Sequence, residues 1–580
     1  MNKYLTVHMH CYQPPREDPW LGYIEMQPSA APSHDWNERI NDECYEPNGF
    51  ARIMGDGGRV ARMVNNYEFA SFNIGPTLLT WMEQHAPITL ARVIDGDRKS
   101  RERNNGHGNA IAQVYNHIIM PLASERDRET QVKWGIAVFE QYFGRKPEGM
   151  HLAETAVDTA TLEVLARNGI KFTVLAPRQA KRWRRLGSDS EGWESEGGID
   201  PTKAYLCRLP SGATINLFFY DGPISQAVAF ERLLESGDKF KSRILSGFSD
   251  KRQHEQLVHL AVDGETFGHH FRFGEMCLAW VIDQFEKSKE VTVTNYGRFL
   301  ELNPPQDEAE IHENSSWSCV HGVERWRSDC GCQTGDGNGK WQLRWRQPLR
   351  EALDSLHAQL VTIYESEGAK LFNDSWQARN AYVGVVTGAR DASAFLDEQM
   401  LAGTRSQEAD TRAFELLEMS HMAMLMYTSC AWFFDDIGRI EPIQALCYAT
   451  RAIELAEKVM GKASDLEDKL VKTLEKAPSN MSEFGNGADV YSKRVRRVAL
   501  KHRVDRVFKG PLDTVEAVEE LLPLLESAEK HSVDINRWKL QHRLVSAWQN
   551  CLSRGVSAPE LRAAFELAAE KLHLYKQVIG

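Results

Sequence analysis

The sequence predicts an α/β fold, a barrel or near-barrel of about seven strands, followed by an α-helical domain. Three observations carry this. Short apolar runs alternate with helical stretches over the first 300 residues, the strand runs are continuous rather than alternating, and strand signals almost vanish after Arg346. Strands covered by helices on both faces have that continuous apolar character. Strand and helix in alternation imply parallel βα units.

The expected strands are Tyr4–His8, Phe69–Ile74, Gly149–Leu152, Phe172–Leu175, Ile215–Phe219, Leu257–Val262 and Val291–Val293. Between them, Thr77–Ala91, Asn109–Leu122, Asp127–Phe143, Val157–Asn168 and Gly274–Glu286 space their apolar residues three and four apart, as amphipathic helices do. Residues 303–345 hold prolines, glycines and several Trp, too aromatic for a linker. Beyond them Pro348–Tyr364, Ala413–Met426, Pro442–Met460, Ala463–Leu474, Val515–Ala528 and Leu561–Val578 are helical patterns. The expected division is 1–302, the barrel; 303–345, an aromatic-rich excursion; and 346–580, the helical domain.

Lys and Arg total 69 against 81 Asp and Glu, a net charge of −12. An acidic chain without a long basic run is a poor nucleic-acid binder, and the cluster KRWRR at 181–185 reads as a solvated loop. No run approaches the length of a membrane span, and the N-terminus lacks the apolar core of a signal peptide. The expectation is a cytoplasmic protein with no membrane or nucleic-acid partner; nothing fixes its oligomeric state. Ten cysteines without an export signal read as free thiols. Of these, Cys319, Cys330 and Cys332 cluster, but a Cys-x-Cys pair lacks the usual zinc spacing, so loop-supporting thiols are the favoured reading over a metal or redox site. GDGNGK at 335–340 fails the phosphate-loop pattern at Thr334 and Trp341.

Barrels of this kind gather functional groups at the C-terminal ends of their strands. Those ends carry His8, His10 and Gln13; Asn73; Glu154; Arg178, the weakest case; Tyr220 and Asp221; and Asp263, Glu265, His269 and His270. Two chemistries fit. Paired carboxylates hydrolyse glycosides. Alternatively, His8 and His10, on one strand face, join Asp263, His269 or Cys11 around a hydrolytic metal.

The string His8-Met9-His10-Cys11-Tyr12-Gln13-Pro14 resembles the first conserved region of glycoside hydrolase family 57, with Cys11 and Tyr12 intervening as in the branch that carries a C-terminal DUF3536 domain. His151-Leu152-Ala153-Glu154 resembles the third region and Asp263-Gly264-Glu265-Thr266-Phe267-Gly268-His269 the fourth. Phe72-Asn73-Ile74-Gly75 matches the second loosely, and Glu313–Trp317 with the following Cys-Val-His-Gly-Val-Glu-Arg-Trp resembles the fifth. The departure is His151, where the family usually has Trp.

This resemblance implies an incomplete (β/α)7 barrel and a retaining glycosidase or transglycosidase of amylase or 4-α-glucanotransferase type. The substrate would be an α-linked oligo- or polysaccharide, with no cofactor and no metal. Glu154 would be the nucleophile and Asp263 the acid/base, about 5–5.5 Å apart as retention requires. Residues 303–345 would complete the site. His8, His10, Gln13, Asn73, His117, His151, Asp221, Glu265, His269, Trp317 and Trp326 would bind substrate or support the site, with His107 structural. The alternatives are a metal-dependent carbohydrate hydrolase or deacetylase using His8, His10 and Asp263, which a chelator would inactivate, and a non-catalytic glucan-binding protein, which the two carboxylates oppose.

Fifteen Trp is a high count, and indole is a flat surface on which sugars stack. Trp20, Trp36, Trp317, Trp326, Trp341 and Trp345 lie in segments leaving the functional face and are the expected platforms. Trp81, Trp134 and Trp280 sit in helical patterns and read as core. In Tyr427–Ile437 the aromatics Trp432, Phe433 and Phe434, followed by Asp435 and Asp436, are candidates for the cleft against a more ordinary core role.

Overall fold

The computed structural model describes every residue except 188–191, 196, 197, 531, 532, 534, 557 and 580. Among the strands of its α/β part, those that bear on the site are β1 (Lys3–Cys11), β2 (Ser71–Ile74), β3 (Ala112–Gln113), β4 (Met150–His151), β5 (Phe172–Leu175), β6 (Thr214–Phe219) and β7 (Gln256–Asp263). On one edge β1 runs parallel to β7, from Lys3 beside Gln256 to His10 beside Asp263. On the other it runs parallel to β2, from His8 beside Ser71 to Cys11 beside Ile74. The short strand Thr292–Val293 shares that second edge at Tyr4 and Leu5. Parallel pairing continues from β2 through the Phe72–Ala110 bridge to β3 and β4, and through the Gly149–Phe172 bridge to β5 and β6. From the end of β6, the Asp221 N–H reaches back to the carbonyl of His259 on β7 at 2.8 Å.

Three expectations need correction. Asn109–Leu122 is not a helix: it carries β3, turns and a single 3-10 turn at Met120–Leu122. Residues 109–120 are buried without interruption, so their apolar spacing marks a segment with no solvent face rather than an amphipathic helix. Thr77–Ala91 is two helices, Pro76–His85 and Pro87–Arg103, broken at Ala86 (φ −137°) because Pro87 cannot continue the first. The basic cluster at 181–185 is a strand, Ala180–Arg185, antiparallel to Asp307–Ile311. Its charges are matched across the ladder: Arg182 pairs with Glu310 at 2.7 Å and Arg184 with Glu308 at 2.6 Å.

After Arg346 the described residues form helices and turns, with isolated bridges and no strand. Arg346–Leu371, Gln407–Leu425 and Ile440–Met460 pack on one another. The two last expected helices are shorter than read: 515–528 is broken into Val515–Glu519 and Leu521–Lys530, and the helix from Pro559 stops at Lys571. Apolar burial divides this half. Residues up to Val495 share one core with the α/β part, whereas Leu500 to Ile579 form a separate cluster. A buried ion pair ties the two halves: Asp127, in the helix Glu125–Phe143, meets Arg379 at 2.8 Å and His357 at 3.0 Å. Among the described residues no helix is long and apolar enough to cross a membrane.

Candidate active site

The parallel register brings the polar ends of β1, β2 and β7 side by side. His8 and His10 point to one face of β1, where Asn73 of β2 stands between them. The Asn73 amide contacts His8 Nε2 at 3.2 Å and His10 Nδ1 at 2.9 Å, and donates to Gln113 Oε1 at 2.7 Å. His8 Nδ1 also meets Ser71 Oγ at 3.0 Å, and His10 Nε2 meets His117 Nε2 at 3.1 Å. His151 stacks on His10 with ring centroids 4.1 Å apart. Its two ring nitrogens are buried and have no hydrogen-bond partner. Burial, and then the neighbouring imidazole, lowers His8 to about 3, and burial lowers His10 to about 4. His117 and His151 are also pushed well down by burial. These imidazoles are therefore neutral near pH 7, suited to hydrogen bonding and not to carrying charge.

Glu154 follows β4 in a turn of unusual backbone. Glu154 (φ 57°) and Thr155 (φ 52°) are both left-handed, a conformation that is an outlier for a β-branched residue and costs about 1–3 kcal/mol per residue. The neighbours over-determine it. Thr155 N donates to Leu152 O at 2.8 Å, Gln179 Nε2 donates to Thr155 O at 2.8 Å, and Trp317 N donates to Glu154 O at 3.0 Å. The side chain is held too: Trp317 Nε1 donates to Oε2 at 3.1 Å, and Ser318 Oγ donates to the same oxygen. Burial raises the Glu154 carboxyl, while the Ser318 bond, the charge of Arg325 and the Trp317 bond oppose the shift.

Asp263 ends β7. Its side chain is exposed to the cleft, with the carboxyl set among the groups that line it. Burial, the charge of Glu265 and the charge of Glu154 push its carboxyl well above the usual range. Gly264 lets this turn close on β1, for a Cβ there would lie 2.4 Å from Cys11 Sγ. Glu265 turns back into the structure, accepting from Tyr12 N at 3.2 Å and from the Tyr45 hydroxyl.

Both carboxylates line one cavity of about 600 Å³, together with His10, Gln13, His117, Glu265 and His269. Its far wall comes from the helical half: Cys430, Phe433, Phe434, Arg439 and Glu441. Two further cavities adjoin it. One shares His269; the other shares Pro14, Arg16, Ser29, Gly438, Ile440, Glu441 and Met481.

Other expected site residues lie elsewhere. His8, Asn73 and His151 sit beneath the cavity and do not line it. Asp221 caps the helix Gly222–Phe230, accepting from Ile224 N at 2.9 Å. Trp326 is no platform: it is fully buried, with its indole N–H on Ser429 O. Trp345 is likewise buried, and Trp20 bonds Glu454 and stacks on His502. Only Trp36 of the proposed platforms lines the cavity, and Trp317 flanks it. Phe433 and Phe434 reach the cleft; Trp432 is core, and Asp435 and Asp436 are buried acceptors for Thr334, Gly335, Ser479 and Asn480. His107 pairs with Glu148 at 2.8 Å, away from the site.

His270, expected from its strand end, also lines the cavity, whereas Tyr12, Arg16, Arg439 and Glu441 were not expected here. Tyr12 could be found only through its neighbour, since it stacks on His117 at 3.7 Å; Arg439 and Glu441 carry no motif. Among the described residues, His8, His10 and Asp263 do not converge as ligands. Among the described residues, the one set of three or more His, Cys, Asp or Glu side chains whose ligand atoms all lie within 4.8 Å of one another is Cys319, His321, Cys330 and Cys332.

Residues 34–312 match the model of glycosyl hydrolase family 57, and residues 341–507 match DUF3536, a domain of unknown function. No curated protein matches the chain in sequence. Among solved structures it is similar to an exo-type maltose-forming amylase from Pyrococcus sp. ST04, at 16% identity and a TM-score of 0.61, covering 87% of this chain and 92% of that one. At that identity the likeness shows the fold alone. An α-amylase from Thermotoga maritima aligns at 12% identity over 84% of this chain and 99% of that one, TM-score 0.48. A branching enzyme from Pyrococcus horikoshii aligns at 16% identity over 82% and 95%, TM-score 0.47.

Proposed function

Because this chain belongs to glycosyl hydrolase family 57, we propose that it is a retaining glycosidase or transglycosidase of α-linked glucans. Glu154 is its nucleophile and Asp263 its acid/base. One observation carries this reading: Glu154 and Asp263 open into the same cavity, and the surroundings raise the Asp263 carboxyl well beyond that of Glu154. Hydrogen bonds from Trp317 and Ser318 favour the anion of Glu154, whereas burial and two nearby carboxylates favour the protonated form of Asp263. Environments that push two carboxyl groups apart in this way divide the roles of nucleophile and acid.

In the reaction, Glu154 attacks the anomeric carbon while Asp263 gives its proton to the leaving oxygen. Asp263 then takes a proton from water or an acceptor hydroxyl, which displaces Glu154. Gln13 and His269, on the cavity wall, would bond sugar hydroxyls, and His10 and His117 would do so by releasing the bond they make to each other. Trp36, Phe433 and Phe434 offer apolar faces to the sugar rings. The cavities that adjoin the central one suit a chain of sugars better than a single residue. The pairing order β7-β1-β2-β3-β4-β5-β6 supports reading residues 1–302 as an incomplete (β/α)7 barrel. Residues 303–345 then supply Trp317 and Ser318 to it, and residues 346–580 close the cleft.

Incubation with maltoheptaose tests the substrate and the outcome together. Only shorter products mean hydrolysis, and longer chains as well mean transfer. No change in maltoheptaose, glycogen or starch removes α-glucans from the assignment.

A further inference from the structure

Three thiols and an imidazole converge in the 303–345 segment, away from both carboxylates' own cavity. Cys319 Sγ lies 3.9 Å from Cys330 Sγ and 3.8 Å from Cys332 Sγ, and Cys332 Sγ lies 3.6 Å from His321 Nδ1. All four ligand atoms fall within 4.8 Å of one another. The sulfurs are far outside disulfide distance, which is about 2.05 Å. A tetrahedral zinc, with Zn–S about 2.3 Å and Zn–N about 2.0–2.1 Å, sets sulfurs about 3.8 Å apart and sulfur and nitrogen about 3.6 Å apart. Three of the six spacings in the protein match edges of such a tetrahedron, and the other three stay within 4.8 Å.

We propose that Cys319, His321, Cys330 and Cys332 bind one structural zinc ion. Three soft thiolates and an imidazole, with no position left for water, are the donor set of a closed zinc site. The Cys-x-Cys spacing, too short for the commonest zinc knuckles, is accommodated by Gly331. It stands between the two cysteines at φ 80° with nothing within 4 Å of where its Cβ would be, so its role is conformational. Three thiolates on a divalent ion leave one negative charge. The buried Arg346 faces it, with Nη1 4.0 Å from Cys330 Sγ and bonded to Cys332 O at 3.0 Å.

The ion would lock a short stretch with two neighbours in the cleft. Ser318, next to Cys319, bonds Glu154. Arg346 also donates to the carbonyls of Phe433 and Phe434 at 3.3 and 3.2 Å. The zinc site therefore positions groups around the nucleophile; that consequence rests on the reading of Glu154 above, whereas the site itself does not.

The test is metal content of the full chain, purified from zinc-supplemented culture and dialysed against a weak chelator. About one zinc per chain is expected, falling below about a tenth in Cys330→Ser/Cys332→Ser. Should that variant not fold, the unaltered chain serves. Titration with a mercurial thiol reagent is expected to release one zinc to a chromogenic chelator, and cobalt loading to give a thiolate-to-cobalt charge-transfer band. A chain free of metal, zinc that survives thiol modification, or cobalt without that band each overturns the proposal, whatever the enzyme does to glucans.

Discussion

Trp317 holds both ends of Glu154: its backbone N–H donates to the Glu154 carbonyl at 3.0 Å, and its indole N–H donates to Oε2 at 3.1 Å. One residue thus fixes the strained turn and the orientation of the carboxylate it presents. Trp317→Phe keeps the ring and removes the indole donor. A hydrogen bond to a charged group contributes about 1.5–3 kcal/mol, so kcat/KM is expected to fall about tenfold to a hundredfold. The acid limb of the rate should also move to higher pH, because the lost bond favoured the anion. An unchanged acid limb would show that the indole bond does not tune Glu154.

The pH profile follows from the two shifts. Glycosyl transfer requires Glu154 ionised and Asp263 protonated. Burial raises Glu154 above its ordinary value, and burial with the charges of Glu265 and Glu154 raises Asp263 further. Activity should be lost on the acid side as Glu154 protonates and on the alkaline side as Asp263 ionises, the two limbs belonging to the coupled pair. The measurement is kcat/KM against pH, and a rate that stays flat into alkaline solution counts against Asp263 as the acid.

Asp263→Asn is expected to abolish turnover by at least about 10³-fold and yet to stabilise the fold at neutral pH. The folded-state pKa of Asp263 is raised, so the folded state binds its proton more tightly than the unfolded chain. Stability of the natural protein therefore falls as pH rises from the ordinary aspartate range through the raised value. The Asn variant lacks that loss. Its melting temperature should exceed the parent's at pH 7 by a small margin, because the exposure of Asp263 to the cleft screens the effect, and the gap should close in acid, where both states are protonated. Equal melting temperatures at pH 7 would mean that Asp263 is not strained there.

Asp127→Asn should act on stability alone. Burial by itself would raise this carboxyl, but the hydrogen bond from His357 and the charge of Arg379 hold it well below the usual range. The substitution leaves the Arg379 guanidinium buried without its counter-charge, a cost of about 3–5 kcal/mol. Urea unfolding measures it. In the natural protein this contribution is complete above the unfolded aspartate value and disappears only as strong acid protonates the pair. A loss below 1 kcal/mol, roughly the value of an exposed pair, would show the pair to be solvent-screened.

The sequence made the strands on either side of the site legible, because β1, β5, β6 and β7 are continuous apolar runs whose ends carry the polar motifs. It did not reveal β3, a two-residue strand in a fully buried stretch whose spacing imitates a helix. Glu154 and Asp263 were legible through their surrounding motifs. The cleft's second wall was not: Phe433, Phe434, Arg439 and Glu441 come from a helical segment more than 160 residues downstream of Asp263, and only packing brings them across. Trp326 and Trp317 look alike in sequence, nine residues apart in one aromatic segment. One indole is spent inside the core on Ser429 and the other on the nucleophile, a difference that burial alone decides. His321 was hidden for a similar reason, since it joins the thiols only when the chain doubles back at Gly331.

The central claim is that Glu154 forms a covalent bond to the sugar. A 5-fluoro-α-glucosyl fluoride slows hydrolysis of the glycosyl-enzyme more than its formation, so the intermediate accumulates. Peptide mass analysis of the treated protein is the direct measurement. The expected result is time-dependent loss of activity with one fluoroglucosyl group on the peptide containing Glu154, and no labelling of Glu154→Gln. Labelling of another carboxylate, or undiminished labelling of Glu154→Gln, contradicts it.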